Sequence, residues 1–173
     1  EAGVVNAQIN EDRVKVKMPD PSDLKLAYPL KLSDGSLEIS SINTGVPHVV
    51  VMVEQIADLD VVTLGREIRR HQIFAPAGTN ANFVQRIQGN AIEIRTYERG
   101  VEDETLACGT GAIASAIISA SRFKMDSPVE VKTLSGMYLT IHFDTVDGQF
   151  RNIYMEGDAR IIYTGELQPE AWH

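Results

Sequence analysis

The sequence predicts an α+β fold, a curved and mostly antiparallel sheet wrapped around one buried central helix. Two features predict it. Alternation of apolar and polar residues with a period of two recurs along most of the chain, which is the pattern of half-buried strands. One stretch, about 109–121, has helical spacing and no charged face. There Ala112, Ile113, Ala114, Ala116, Ile117, Ile118 and Ala120 leave only Ser115 and Ser119 as polar members. A helix apolar on all sides must be enclosed on all sides. With strands before and after it, the simplest enclosure is a sheet that bends around it.

The elements follow in chain order. Val14, Val16 and Met18 alternate with Arg13, Lys15 and Lys17 after a turn signal at Asn10-Glu11-Asp12, so residues 4–18 read as a hairpin. Pro19, Pro21 and Pro29 then mark a break and a plausible domain boundary. The unbroken apolar run from Val49 to Val53 is short enough for a strand buried on both faces. Asp60 can cap an amphipathic helix whose stripe is Val61, Leu64 and Ile68, ending near His71. Ile92 and Ile94, Val129 and Val131, and Leu139, Ile141 and Phe143 each alternate with polar neighbours as strands do. Ile153 to Tyr163 reads as one or two further strands. Gly89-Asn90, Ser135-Gly136 and Asp147-Gly148 supply turn chemistry between these runs.

Composition bounds the function. The 173 residues carry 16 Lys+Arg against 24 Asp+Glu, a formal charge of -8, and that balance argues against a general binder of nucleic acid or anionic membrane. No apolar run approaches the roughly 20 residues of a membrane span. A single cysteine, Cys108, excludes an internal disulfide framework and points to a reducing, cytoplasmic compartment. The four histidines at 48, 71, 142 and 173 lack metal-ligand spacing, so no metal site is expected. The chain opens Glu1-Ala2-Gly3, with neither an initiator Met nor a signal-peptide pattern, and reads as a processed or excised piece.

Cys108 stands out by its neighbours, since a lone cysteine is most often a small buried hydrophobe. The polar stretch Glu102-Asp103-Glu104-Thr105 reads as loop, and Gly109-Thr110-Gly111 opens the apolar helix, which puts Cys108 at a helix N-terminus. Free N–H groups and the positive end of the helix dipole there are expected to lower the thiol pKa from about 8.5. The same groups can hold a carboxylate, and the glycines admit close approach of a ligand. A thiolate beside a carboxylate nest suits proton removal from the α-carbon of an amino acid. Residues 109–114 also match the spacing of a dinucleotide-binding glycine loop, with Glu130 about 20 residues on. The context fails: an acidic stretch, not a buried parallel strand, precedes the glycines, and Glu130 lies inside an alternating strand.

The string Tyr97-Glu98-Arg99-Gly100-Val101-Glu102-Asp103-Glu104-Thr105-Leu106-Ala107-Cys108-Gly109-Thr110-Gly111-Ala112 closely resembles the second cysteine motif of the diaminopimelate epimerase family. Gly78-Thr79-Asn80-Ala81-Asn82-Phe83-Val84 and Gly45-Val46-Pro47-His48 resemble two further motifs in the family's order. Proline racemases on the same fold typically carry Asp-Arg-Ser-Pro before this cysteine, where this chain has Glu-Thr-Leu-Ala. The resemblance implies one of the family's two pseudo-symmetric domains, and an isomerase without metal or cofactor that inverts one α-carbon of diaminopimelate, the lysine and cell-wall precursor. It implies that Cys108 is one of two proton-transfer residues and that Gly109 and Thr110 bind the reacting carboxylate. It further implies that Glu98 faces the reacting amino group, that Arg99 with Asn80 holds the distal end, and that His48 supports the site. Read without the family, Glu98-Arg99 is a solvated pair at a strand end, Asn80 and Asn82 are turn residues, and His48 is a core histidine.

Two departures matter. The family often has Asn directly before Pro-His; Val46 stands there, which leaves one amide contact to substrate open. The family's other catalytic cysteine lies in a Cys-Gly-Asn-Gly motif of an N-terminal half, and this chain has Cys108 alone. Residues 1–18 thus resemble the hairpin end of that half, residues 19–166 the complete second domain, and residues 167–173 a tail. The missing half is the expected partner besides substrate, with a homodimer possible. Inversion needs a base on one face and an acid on the other, so the chain is expected to be inactive alone. The rival functions are another amino-acid racemase of this fold and a non-catalytic binding fragment.

Overall fold

The computed structural model describes residues 4–172, so Glu1-Ala2-Gly3 and His173 lie outside the described residues. The chain forms β1 (Ala7–Asn10), β2 (Arg13–Lys17), β3 (Ser22–Leu32), β4 (Gly35–Asn43), β5 (Pro47–Met52), α1 (Val61–Arg70), β6 (Asn80–Arg86), β7 (Ala91–Glu98), β8 (Asp103–Thr105), α2 (Gly109–Phe123), β9 (Val129–Lys132), β10 (Tyr138–Val146) and β11 (Gln149–Asp158). One mixed sheet holds all the strands in the order β1-β2-β11-β10-β9-β7-β6-β5-β4-β3, with β8 added beside β7. Pairing is antiparallel except for β5 with β6 and β7 with β9. No helix among the described residues is long and apolar enough to cross a membrane.

The expected sheet around a central helix is what forms. Helix α2 packs against β4, β5, β6, β7, β9, β10 and β11, and every residue from Gly111 to Ala120 is buried. Ile113, Ile117 and Ile118 are each at most 1% exposed, and burial of one such side chain contributes about 1.5–3 kcal/mol. Their partners include Val50, Val84, Ile92, Ile94, Val129, Val131, Ile141 and Ile153. The opposite face of β4 to β7 forms a second core with α1, built on Val49, Val51, Ala81, Phe83, Tyr97, Val61 and Ile68. Successive side chains of a strand point to opposite faces, so Val49 and Val51 serve one core and Val50 the other. That accounts for the unbroken apolar run at 49–53. Asp60 caps α1, its carboxylate accepting from the Thr63 N–H at 3.1 Å.

Several segments depart from the sequence expectation. The proline-marked stretch carries strand β3, which tolerates Pro29 because it is the sheet edge and bonds only to β4. Bulges with positive φ at Asp23 and Ala27 obscure its alternation. Asn80 and Asn82 are strand residues of β6 rather than turn residues. The acidic loop contains the short strand β8, antiparallel to β7, which is the wrong setting for a dinucleotide loop. The C-terminal strand β11 spans 149–158, and Ile161, Ile162 and Tyr163 beyond it are outside any strand and 88%, 91% and 86% exposed. The hairpin β1–β2 forms as read, within 7–17, and joins the sheet through β2 and β11.

Candidate active site

Parallel pairing of β5 with β6 sets His48 opposite Asn80, and the antiparallel β7 brings its end, at Glu98, to the same edge of the sheet. Alternation then puts His48, Asn80, Asn82, Thr96 and Glu98 on the face that receives α2. The apolar positions of that face, Val50, Val84, Ile92 and Ile94, enclose the helix body, and the polar ones gather at its N-terminus. Cys108 is the N-cap residue, with extended backbone angles and no side-chain cap bond. The N–H groups of the first turn have no intrahelical partner. The acid-free first turn leaves its positive end for an anion. Thr44 anchors the turn from the neighbouring loop, its hydroxyl donating to the Thr110 carbonyl at 3.0 Å.

The structure therefore brings the sequence candidates Cys108, Gly109, Thr110, Glu98, Asn80 and His48 to one end of the sheet, with Arg99 in the turn just beyond β7. Asn80 Oδ1 accepts from the Arg99 backbone N–H at 2.7 Å, and the Arg99 guanidinium donates to the Ala77 carbonyl at 3.2 Å. The turn after Arg99 is fixed by Glu102, which accepts from the Gly100 N–H and pairs with Arg69 of α1 at 2.9 Å. Met155 of β11 backs Gly109, where an added Cβ would come within 2.9 Å of its sulfur.

The cysteine departs from expectation. Cys108 is 7% exposed, and burial pushes its thiol above the usual value, with the Glu98 carboxylate acting in the same direction. The Thr110 hydroxyl, 3.6 Å from Sγ, and the N–H groups of Gly111 and Thr110 pull the other way without prevailing. The helix terminus alone does not make this residue a thiolate. His48 is held neutral, its pKa lowered to about 4 by burial and by the positive charge of Arg99.

Thr96, Thr44 and Met155 belong to this setting but were not singled out by sequence reasoning, and Asn82 was read only as part of a motif or as a turn residue. A signal was present for Asn82 and Thr96: polar residues at the inward positions of strands, where alternation demands apolar ones.

A family model described as diaminopimelate epimerase matches residues 40–162. The diaminopimelate epimerase of Aquifex aeolicus is 42% identical over 98% of this chain and 60% of its own length. That of Archaeoglobus fulgidus is 38% identical over 96% of this chain and 61% of its own. The chain thus spans about 60% of the length of these curated relatives. Among solved structures, a probable proline racemase from Agrobacterium radiobacter superposes with a TM-score of 0.68 at 15% identity, covering 95% of this chain and 57% of that one. A methylitaconate-delta-isomerase does so at 0.64 and 14% identity, over 93% and 58%. These two share the fold, while the sequence relationship is closer to home: the chain belongs to the diaminopimelate epimerase family.

Proposed function

We propose that this chain supplies one wall of a cofactor-independent epimerase that converts LL-diaminopimelate to meso-diaminopimelate, a cytoplasmic step toward lysine and peptidoglycan. The observation that carries the reading is the thiol of Cys108 at the N-terminus of α2, within electrostatic reach of the Glu98 carboxylate at the end of β7. The N–H groups of Gly109 and Thr110 suit the reacting carboxylate, and they also stabilise the enolate-like charge that develops on it. Glu98 suits the α-ammonium, and Arg99 with Asn80 suits the distal carboxylate. His48 is uncharged and adds no net charge of its own. Residues 1–18, in this reading, close the preceding half of the enzyme, 19–166 form the domain, and 167–173 a tail.

A thiol that burial holds above its usual value suits Cys108 to donate rather than to remove a proton at neutral pH. A base outside these residues removes the α-proton from one face, and Cys108 delivers its proton to the other. The resulting thiolate is met by the Thr110 hydroxyl and the Gly111 N–H. Substrate helps this step: an α-ammonium against Glu98 offsets the negative charge that holds the thiol up. The opposing base and wall must come from another protein surface. The exposed Ile161-Ile162-Tyr163 run supports one, since contiguous apolar residues of this kind mark contact sites. Calorimetric titration with LL-diaminopimelate, proline and histidine tests the substrate class. Diaminopimelate should bind best and lose affinity in Arg99→Leu; preference for a monocarboxylic amino acid would point instead to another racemase of this fold.

A further inference from the structure

We infer that Asn82 is a positioning residue that dictates which ring nitrogen of His48 carries the proton, leaving Nε2–H as the only donor of the His48 ring. Every polar atom of Asn82 has an obligate partner. Its Nδ2 donates to the Val49 carbonyl at 2.9 Å, and a carbonyl can only accept, so the orientation of the amide is fixed. Its Oδ1 then receives the Thr96 hydroxyl at 3.0 Å. The second hydrogen on Nδ2 points at His48 Nδ1, 3.1 Å away. An amide nitrogen cannot accept, so Nδ1 must carry the lone pair and Nε2 the hydrogen.

The environment leaves this network no easy alternative. Asn82 and Thr96 are 0% and 2% exposed and His48 is 1% exposed, so water does not compete for the bonds. Gly111 packs against the same amide: a Cβ there would fall 2.4 Å from Asn82 Oδ1. Asn82 thus lies under the first turn of α2 and beside His48 at once. Nε2 has no hydrogen-bond partner among the described residues. A buried N–H without a partner is costly, and what can relieve it is an acceptor, such as a carboxylate or carbonyl oxygen, never a second donor. The inference deepens the proposed function by giving His48 a donor's role toward an acidic substrate. The tautomer itself stands or falls on the free protein.

Two-bond ¹H–¹⁵N correlation spectra of histidine-labelled chain at neutral pH read the tautomer, with His48→Gln assigning the signals. In the wild type His48 should show an unprotonated, pyridine-type Nδ1 and a protonated, pyrrole-type Nε2; the reverse pattern would overturn the inference. Asn82→Asp replaces the donor with an acceptor and should move the proton to Nδ1, and an Nδ1 that stays unprotonated in a folded variant would also overturn it. Thr96→Val removes the hydroxyl but keeps the Val49 anchor, so the wild-type tautomer should persist. Should Asn82→Asp fail to fold, the wild-type spectrum decides alone. None of these readouts depends on substrate, so failure of the epimerase reading would leave them unmoved. A wrong tautomer, conversely, would leave the substrate titrations unmoved.

Discussion

At the scale of single residues, Cys108 is governed by opposing terms that substitution can separate. Burial and Glu98 raise the thiol, while the Thr110 hydroxyl and two backbone N–H groups lower it. Iodoacetamide alkylation of the chain across a pH series should report an apparent pKa above that of a free thiol. Glu98→Gln should bring it down and Thr110→Val should send it higher. A wild-type value below a free thiol would mean that the helix terminus outweighs burial after all. His48 offers a second residue-scale test, in stability. At pH 7 the ring is mostly neutral in both the folded and unfolded chain and costs little. As pH falls through 6.5 the unfolded ring takes a proton that the folded one refuses until about 4. The unfolded state binds more protons across that window, so stability drops with falling pH, by roughly 3 kcal/mol for a shift of this size. Glu102 and Glu156 are held below the ordinary carboxylate range and lose their contributions only at lower pH. Urea midpoints between pH 7 and 4.5 should fall in the wild type and stay flatter in His48→Gln.

At the scale of elements, the close seating of helices on the sheet sets the two cores. Gly65 of α1 faces Tyr97 of β7, and an added Cβ would come within 2.3 Å of the Tyr97 Cβ. Alanine there gains about 1 kcal/mol of helix propensity, yet overpacking typically costs about 1–3 kcal/mol, and neither backbone can yield without moving its element. Gly65→Ala should therefore lower the urea midpoint; a stabilised variant would show that α1 sits loosely on β7. The elements with one simple period were legible in the sequence. The stripe of α1, the all-round apolar α2, and the alternation in β2, β7, β9 and β10 each follow from a single packing surface. What escaped had two determinants at once. In β4, Leu37 and Ile39 serve the α1 core while Ile42 serves the α2 core, which breaks plain alternation. In β6, Asn80 and Asn82 are polar because that end of the sheet face meets the N-terminus of α2 and the core begins only at Val84, so they imitate a turn. The run at 161–163 imitates a strand by composition alone, since its three side chains are exposed and reach neither core. The site was legible through its motifs and its helix N-terminus. The upward shift of the Cys108 thiol was not, because it depends on burial by residues distant in sequence, and neither was the place of the Asn82 amide beneath His48, for the same reason.

At the scale of the whole chain, the proposed function assigns it one thiol on one wall, and that reading limits what the chain should do alone. If Cys108 both removed and returned the α-proton, it would act from a single side and restore the starting configuration. Inversion would then need the substrate to turn over in the site, or water to donate from the opposite face. Water is a poor acid, and a site open on one side holds substrate loosely, which forfeits the orientation that makes proton transfer fast. Loss of one general acid typically costs about 10²–10⁴-fold by itself, and loss of the facing wall adds to that. Abstraction by Cys108 alone is slowed further because its thiol is raised, so only the fraction ionised at a given pH can act as base. The expected outcome is slow exchange of the α-hydrogen with retention, faster as pH rises. Incubation of LL-diaminopimelate with the chain in D₂O reads both halves of the argument, by mass for deuterium uptake and by chiral separation for meso product. Deuterium uptake without meso product, absent in Cys108→Ala, fits a half-site. Appreciable meso product that disappears in Cys108→Ala would show that a second acid is already present in these residues. No exchange at any pH would leave the chain a binding domain that needs its facing wall even for the first proton transfer.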